Sequence, residues 1–257
     1  MRNSLEISVH PLNNLIPACA SFLNCSIVQL KPARTSDHRV RENKSFNPRK
    51  RNSLSGKSLV FSTQTDSTYV KLLPTEFSQL SAFTLCLRAA LEAKRGYSLL
   101  SYATANTDNE LLLWHNENTK LSLYFGSDIF HFALPETDAL LRHICVSWDS
   151  PTGIITFWLN GVRSLRKVGN KGGVVRSGGT FMLGQEQDQV GGKFDSKQSF
   201  VGELTDVHLW DYVLSANDIK ALSQGCHSAG GNIISWHTVQ YESRGSVKIE
   251  DNHDCSF

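Results

Sequence analysis

The sequence lacks the features that mark several large classes of protein. None of its apolar runs approaches the length of about 18 residues that a transmembrane helix needs. None of its six cysteines lies in a C-x-x-C pair, which disfavours zinc-ribbon and thioredoxin-type sites. Neither G-x-S-x-G nor H-E-x-x-H occurs, so the sequence signals of α/β-hydrolases and zinc peptidases are also missing.

Basic residues are scarce outside the first part of the chain. Residues 1–57 hold ten Lys or Arg against three Asp or Glu, whereas the remainder holds 16 basic and 21 acidic residues. Contacts to nucleic-acid phosphates need clustered Lys and Arg, so this acidic body argues against a nucleic acid as the main partner. It favours a cation as a ligand.

The basic first part predicts a leader rather than a folded domain. Residues 15–23 form a short apolar patch of the signal-peptide kind without a clean cleavage site. Residues 30–57 are polar and basic and have little apolar periodicity, which is typical of a linker. We expect residues 1–52 to be a disordered or removed leader and residues 53–257 to form the folded domain.

Short strands separated by turns dominate the chain from about Ser58 onward. Apolar, β-branched and aromatic residues predict strands at 83–87, 121–125, 144–148, 154–159, 181–183, 200–204 and 207–210. Asn160-Gly161 follows one of these runs and predicts a tight hairpin. Many short strands at close spacing indicate an all-β sandwich or jelly roll.

One short helix is expected near residues 216–224. Ser215 and Asp218 have the spacing of a capping box, with Asp in place of the usual Glu. Ile219, Ala221 and Leu222 supply an apolar stripe, and Gly225 marks the end of the helix.

Residues 184–199, GQEQDQVGGKFDSKQS, concentrate oxygen donors between glycines. The donor side chains are those of Glu186, Gln187, Asp188, Asp195 and Gln198. Calcium takes about six to eight oxygen ligands of these kinds, and adjacent glycines let the chain curl so that distant ligands converge. The segment is therefore a candidate calcium loop, and the alternative is a solvated acidic loop.

A second acidic turn, TDNE, contains Asp108 and Asn109. Asp and Asn cap turns through local hydrogen bonds, so an ordinary Asx turn explains this stretch when it is taken alone. A site built on loops draws ligands from distant parts of the chain, and the two acidic segments then form one site.

These carboxylates also raise the possibility of one enzyme class, the glycosidases. Glu186 and Asp188 begin the E-x-D-x-x-E pattern of some jelly-roll glycosidases, which use paired carboxylates. Gly191 occupies the position of the second glutamate, so the pair is incomplete and this class is disfavoured.

The cysteines leave their pairing open. Cys86 and Cys145 lie in predicted strands. They form either a cross-strand disulfide or two buried free thiols. Cys226 and Cys255 follow the last strong strand signal, and we pair them by elimination as a staple of the C-terminal tail.

Residues 143–150, HICVSWDS, fit the pentraxin signature H-x-C-x-[ST]-W-x-[ST] at every fixed position. Other segments are similar to the short pentraxins in the same order, namely residues 67–70, 83–87, 96–98, 101–104, 183–188 and 207–211. The resemblance covers roughly residues 53–248.

The resemblance implies a two-sheet jelly-roll sandwich of the legume-lectin type, with a disulfide between Cys86 and Cys145. It implies two Ca²⁺ ions per protomer. The family's ligand motifs fall on Asp108, Asn109, Glu186, Gln187 through its backbone carbonyl, Asp188, Asp195 and Gln198. Glu186 and Asp188 are expected to bridge both ions.

An apolar ligand pocket beside the ions is also implied, with Trp114 and Tyr124 at the positions of pocket aromatics. Trp114 is expected to favour a choline or amine headgroup through a cation–π contact. The alternative is that both aromatics are half-buried strand residues.

The function implied is that of a secreted, non-enzymatic recognition protein of innate immunity with an atypical signal peptide. Its expected partners are phosphorylated headgroups such as phosphoethanolamine and phosphocholine, carboxylated small ligands and polysaccharides. A homopentamer is the expected assembly. The alternative function is a structural or adhesive jelly-roll module that calcium stabilises and that binds no ligand.

Overall fold

The structure is a computed structural model that describes residues 53–90, 94–117, 119–135, 140–225 and 230–252. These residues all belong to one compact unit, Pro48–Phe257. The predicted leader, residues 1–52, lies outside the described residues, and so do Cys226 and Cys255.

Seventeen strands and two short helices make up the described part. The strands are β1 (Lys57–Phe61), β2 (Tyr69–Leu73), β3 (Gln79–Leu80), β4 (Ala82–Ala90), β5 (Tyr97–Ala103), β6 (Leu111–Asn116), β7 (Lys120–Phe125), β8 (Asp128–Ala133), β9 (Arg142–Asp149), β10 (Ile154–Leu159), β11 (Val162–Arg163), β12 (Lys167–Val168), β13 (Val175–Arg176), β14 (Thr180–Leu183), β15 (Gly202–Trp210), β16 (Gln240–Arg244) and β17 (Lys248–Asp251). The helices are a 3-10 turn, Ser196–Gln198, and α1, Ala216–Gln224.

Two large antiparallel sheets form the sandwich. Sheet 1 has the strand order β11-β10-β9-β4-β15-β1-β17, and β12 also pairs with β10. Sheet 2 has the order β16-β2-β14-β5-β6-β7-β8, and β3 pairs with β13 in a small separate sheet. Neighbours that are distant in sequence, such as β9 and β4, β4 and β15, and β2 and β14, alternate with hairpin-connected strands, which confirms the predicted jelly-roll sandwich.

Alternating apolar residues on the facing sides of the sheets form the core. Phe83 of sheet 1 meets Phe125 of sheet 2 edge-to-face, with ring centroids 5.6 Å apart. Phe132 of sheet 2 stacks on Phe157 of sheet 1 at 5.2 Å. Aromatic pairs of this geometry add to the hydrophobic gain from burial, so they fix the sheets against each other.

The predicted hairpin at Asn160-Gly161 is confirmed, since it joins β10 to β11 with positive φ angles of 48° and 76°. The predicted strands at 200–204 and 207–210 are one strand, β15. Its pairing with β4 shifts between Thr205 and His208, where Asp206 adopts a φ of 55°. A bulge therefore lies where the sequence indicated a break.

Helix α1 begins at a capping box, because the Ser215 hydroxyl accepts from the Asp218 N–H and the Asp218 carboxylate accepts from the Ser215 N–H at 3.2 Å. Ile219 and Leu222 are buried, whereas Ala221 is exposed, so the apolar stripe is narrower than predicted. The helix covers the outer face of sheet 1.

The outer face of sheet 1 carries a second, smaller apolar cluster around a disulfide. Cys86 on β4 lies directly opposite Cys145 on β9, and the two form a disulfide bond. Trp158, Trp210 and the buried residues of α1 enclose it. The predicted disulfide is confirmed.

Candidate metal centre and ligand face

The segment that follows β14 alternates between structural amides and acidic side chains. Gln185 is fully buried and its Nε2 donates to the carbonyl oxygens of Thr65 at 2.6 Å and Thr68 at 2.9 Å. This glutamine therefore ties the start of the segment to the loop before β2. No sequence pattern distinguishes this glutamine from its neighbours.

Gln187 ties the same segment to sheet 2. Its Nε2 donates to the carbonyl oxygens of Thr180 at 2.9 Å and Ser101 at 3.1 Å, and its Oε1 accepts from the Gly191 N–H at 2.8 Å. Its backbone N–H also donates to the Ser101 hydroxyl at 3.2 Å. Because the side-chain oxygen is already used, the backbone carbonyl is the group that remains for a metal.

Glu186 lies between these two glutamines and has no comparable partner. Its side chain is buried, with 3% of the residue exposed, and its Oε2 has no hydrogen-bond partner. Burial, together with the negative charges of Asp188 and Asp108, raises the pKa of the Glu186 carboxyl to about 7. A buried carboxylate among like charges is stabilised by a bound cation.

Asp108 and Asp188, the two acidic residues near Glu186, line one surface cleft. Its volume is about 650 Å³. Its remaining wall is formed by residues 104–107 and 189–190. The turn between β5 and β6 thus meets the segment after β14 at this cleft. Asn109 adds a buried Oδ1 that has no hydrogen-bond partner.

The 3-10 turn at the far end of the segment carries the other two predicted ligands. The Asp195 Oδ1 accepts from the Lys197 N–H at 2.9 Å and caps the turn. The Gln198 Oε1 is buried and has no hydrogen-bond partner.

The donor set fits a hard cation. Three oxygens of this donor set, one each from Asn109, Glu186 and Gln198, are buried without a partner, and so is Oε1 of the adjacent Gln185. Leaving them so costs free energy unless something binds them. Calcium accepts carboxylate, amide and backbone oxygens in variable geometry. The structure brings Asp108, Glu186 and Asp188 together and places Asp195 and Gln198 on the neighbouring turn.

Trp114 and Tyr124 lie on the outer face of sheet 2, on neighbouring strands. Tyr124 is paired with Leu112, which is paired with Ser101, the anchor of Gln187. Tyr124 is thus two strand spacings, roughly 10 Å, from that anchor. Trp114 lies two residues further along β6, and both aromatics are half-buried.

Two other clusters of metal-type ligands occur in the described residues, and both are already occupied. In the first, Cys86 and Cys145 are joined in the disulfide beside His143. Burial is the main cause that lowers the pKa of His143 to about 4. This histidine is therefore neutral at physiological pH and has a structural role.

The second cluster contains Asp206, His208 and His237. His208 Nε2 donates to Asp206 at 2.9 Å, and its Nδ1 accepts from the N–H groups of Gly231 and Trp236 at 3.3 and 3.2 Å. Arg88 also binds Asp206 at 3.3 Å. Both nitrogens of His208 are therefore used in hydrogen bonds within the protein.

The fold and the oxygen-rich cleft define a lectin-like β-sandwich with a candidate calcium site on its surface. Among the described residues, no helix is both long and apolar enough to cross a membrane.

Comparisons with known proteins give the family. The sequence model of the Pentaxin family matches residues 57–251. C-reactive protein of Danio rerio is 45% identical over 201 residues, which cover 76% of this chain and 89% of that protein. Serum amyloid P-component of Sus scrofa is 41% identical over 197 residues, which cover 77% of this chain and 88% of that protein.

A solved structure, a native heptameric SAP-like pentraxin from Limulus polyphemus, superposes with a TM-score of 0.68 at 25% identity. The match covers 80% of this chain and 100% of that one. The chain therefore belongs to the pentraxin family, a family of pattern-recognition proteins of innate immunity.

Proposed function

We propose that this chain is a secreted, non-enzymatic pentraxin that recognises phosphorylated or carboxylated ligands through two calcium ions. The single observation that carries the proposal is Glu186, a buried carboxylate without a partner that faces Asp108 and Asp188. Burying such a group without a cation is unfavourable, so the arrangement is best explained as a binding site.

Each of the seven predicted residues has a role in this proposal. Asp108 and Asn109 approach from the turn after β5, and Gln187 offers its backbone carbonyl. Glu186 and Asp188 would hold both ions, whereas Asp195 and Gln198 would belong mainly to the second. Bound calcium supplies open coordination positions that phosphate or carboxylate oxygens of a ligand fill.

Trp114 and Tyr124 supply the apolar part of the ligand site. Their position on the outer face of sheet 2, beside the strand that anchors Gln187, supports a headgroup lying over them while its phosphate meets the calcium ions. An amine such as that of phosphoethanolamine or phosphocholine then contacts the face of Trp114. Polysaccharides that carry phosphate or carboxylate groups fit the same chemistry.

Assembly into a ring supports this function, since many weak headgroup contacts then act together. The Limulus relative is a heptamer. We propose a homopentamer for this chain, to be measured by sedimentation or native mass spectrometry.

A calorimetric calcium titration of the secreted protein, with and without phosphoethanolamine, tests the proposal. We expect two ions per protomer and tighter calcium binding with the headgroup present, because linkage requires each ligand to strengthen the other. Glu186→Gln should abolish both effects, whereas Glu242→Gln, an exposed glutamate on β16, should change neither. Calcium binding without coupling would instead support a structural or adhesive module, and no calcium binding would overturn the proposal.

A further inference from the structure

Arg95 connects two segments that lie 102 residues apart in the sequence. Its Nη1 donates to the backbone carbonyl of Lys197 at 2.9 Å and to that of Gly96 at 3.1 Å. A guanidinium is a planar group with donors in fixed directions, so it holds two carbonyls in a defined relation. Arg95 therefore joins the start of β5 to the 3-10 turn that carries Asp195 and Gln198.

The turn is short, and local hydrogen bonds also hold it, from the Gln198 N–H to the Asp195 carbonyl at 2.9 Å and from the Ser199 hydroxyl to the Ser196 carbonyl at 2.7 Å. It contains only three residues, Ser196–Gln198, and closes with the Ser199 N–H bound to the Ser196 carbonyl at 3.2 Å. The peptide groups of Lys197 are fixed from both sides, by Asp195 at its N–H and by Arg95 at its carbonyl. The buried, unpartnered oxygen of Gln198 depends on this position, because it follows Lys197 directly.

The other end of the connection meets the ligand face. A Cβ atom added to Gly96 would lie 2.6 Å from Cζ2 of Trp114, so the indole lies directly against the Gly96 backbone. Gly96 is also the second residue whose carbonyl Arg95 holds. The position of Trp114 and the position of the turn thus share one anchor.

We infer that Arg95 is a positioning residue that places the turn bearing Asp195 and Gln198 and couples it to Trp114. This inference rests on the proposed calcium function of those two residues. When Gln198 and Asp195 are fixed by an ion, the turn, Arg95 and Gly96 are fixed with them. Trp114 is then held in one orientation for the headgroup.

The test compares Arg95→Gln and Arg95→Lys with wild type by calorimetric titration of calcium, with and without phosphoethanolamine. We expect Arg95→Gln to weaken the second calcium ion at least tenfold and to leave the first ion unchanged. The tightening of calcium by the headgroup should fall to less than twofold. Arg95→Lys should lie between, since an ammonium keeps the charge but loses the fixed N–H directions of the guanidinium.

Arg163→Gln is the matched control, because Arg163 is exposed on sheet 1 and its Nη1 donates only to the neighbouring Ser164 carbonyl, at 3.3 Å. It should bind both ions as wild type does. A purely structural role for Arg95 predicts a lower melting temperature with both affinities and the coupling intact, and that result overturns the inference.

Hydrogen exchange measured in EGTA provides a readout that needs no calcium. The Lys197 and Ser199 amides should exchange several-fold faster in Arg95→Gln than in wild type. Unchanged exchange would show that Arg95 does not hold the turn. If wild type binds no calcium, the proposed function fails, and the exchange experiment still decides whether Arg95 holds the turn. If Arg95→Gln does not fold, the Arg95→Lys comparison carries the test.

Discussion

The carboxylate of Glu110 accepts two hydrogen bonds from Arg176, one from the backbone N–H at 2.6 Å and one from Nη1 of the guanidinium at 3.1 Å. Glu110 is as buried as Glu186, and it follows Asp108 and Asn109 directly in the sequence. The two buried glutamates of the site region therefore differ in kind: one is satisfied by the protein, and the other is not.

This difference predicts opposite effects on stability. Glu110→Ala should lower the free energy of unfolding by about 2–3 kcal/mol, because it leaves the Arg176 N–H without an acceptor. Glu186→Gln should raise it in EGTA at pH 8, since it removes a buried charge. Urea denaturation measures both, with Glu242→Gln as the exposed control. A loss of stability in both variants would show that Glu186 is also structurally satisfied.

The pKa of Glu186 predicts how the metal-free protein responds to pH. The folded carboxyl titrates at about 7 and its ordinary value is 4.5, so the folded state binds this proton more tightly. Its contribution to stability is full below pH 4.5 and is lost as the pH rises through 7, by up to about 3 kcal/mol. Calcium binding should strengthen over the same range, because the ion replaces the proton.

The pH effect is measured as the difference in the free energy of unfolding between wild type and Glu186→Gln. Both proteins are measured in EGTA from pH 5 to pH 8. All other ionisable groups are the same in both proteins, so the difference isolates Glu186. Parallel stability curves would contradict the raised pKa.

The Cys86–Cys145 bond should account for a large part of the stability of the domain. The two residues are 59 apart in the sequence, and closing a loop of that length in the unfolded chain corresponds to about 4 kcal/mol. The Cys86→Ala/Cys145→Ala double variant should unfold at a correspondingly lower urea concentration. Adding dithiothreitol to the double variant shows whether the other cysteines contribute to stability. A double variant whose urea midpoint equals that of wild type would refute the prediction.

Asp206 should be costly to replace. Burial alone would raise the pKa of its carboxyl, but hydrogen bonds and charges of His208 and Arg88 outweigh burial and lower it. The ionised Asp206 therefore contributes to the free energy of unfolding above the ordinary pKa of about 3.8. This contribution is lost as the pH falls through the lowered pKa of the folded state.

Asp206→Asn keeps a side chain that tolerates the φ of 55° but leaves Arg88 without its counter-charge, at a cost of about 3 kcal/mol at pH 7. Urea denaturation checks this, with the exposed Asp66→Asn as the control. Equal midpoints for the two variants would mean that the buried ion pair contributes nothing.

Local sequence patterns predicted much of the fold because they report on local requirements. Apolar, β-branched and aromatic residues predict the strands β4, β7 and β9, and the Asn160-Gly161 pair predicts its hairpin. The sequence predicts two strands, 200–204 and 207–210, where the structure has one strand with a bulge at Asp206. What holds Asp206 in place is a buried arginine and histidine, and no local pattern shows them.

The candidate site divides along the same line. The sequence indicated the acidic residues of both loops, and the resemblance to pentraxins indicated how they combine. It did not show that Gln185 and Gln187 use their amides to attach the segment to the rest of the protein. Nor did it show that Arg95 meets Lys197, since that contact depends on how two distant segments pack.

The pairing of β1 has a consequence for how the protein is made. β1 is the first strand among the described residues, and both of its neighbours, β15 and β17, come from the last quarter of the chain. During synthesis on the ribosome, β1 emerges early and has no partner until nearly the whole chain has followed. An apolar strand that waits in this way is open to association with other chains, so the late strands β15 and β17 protect the domain from aggregation as well as completing its sheet.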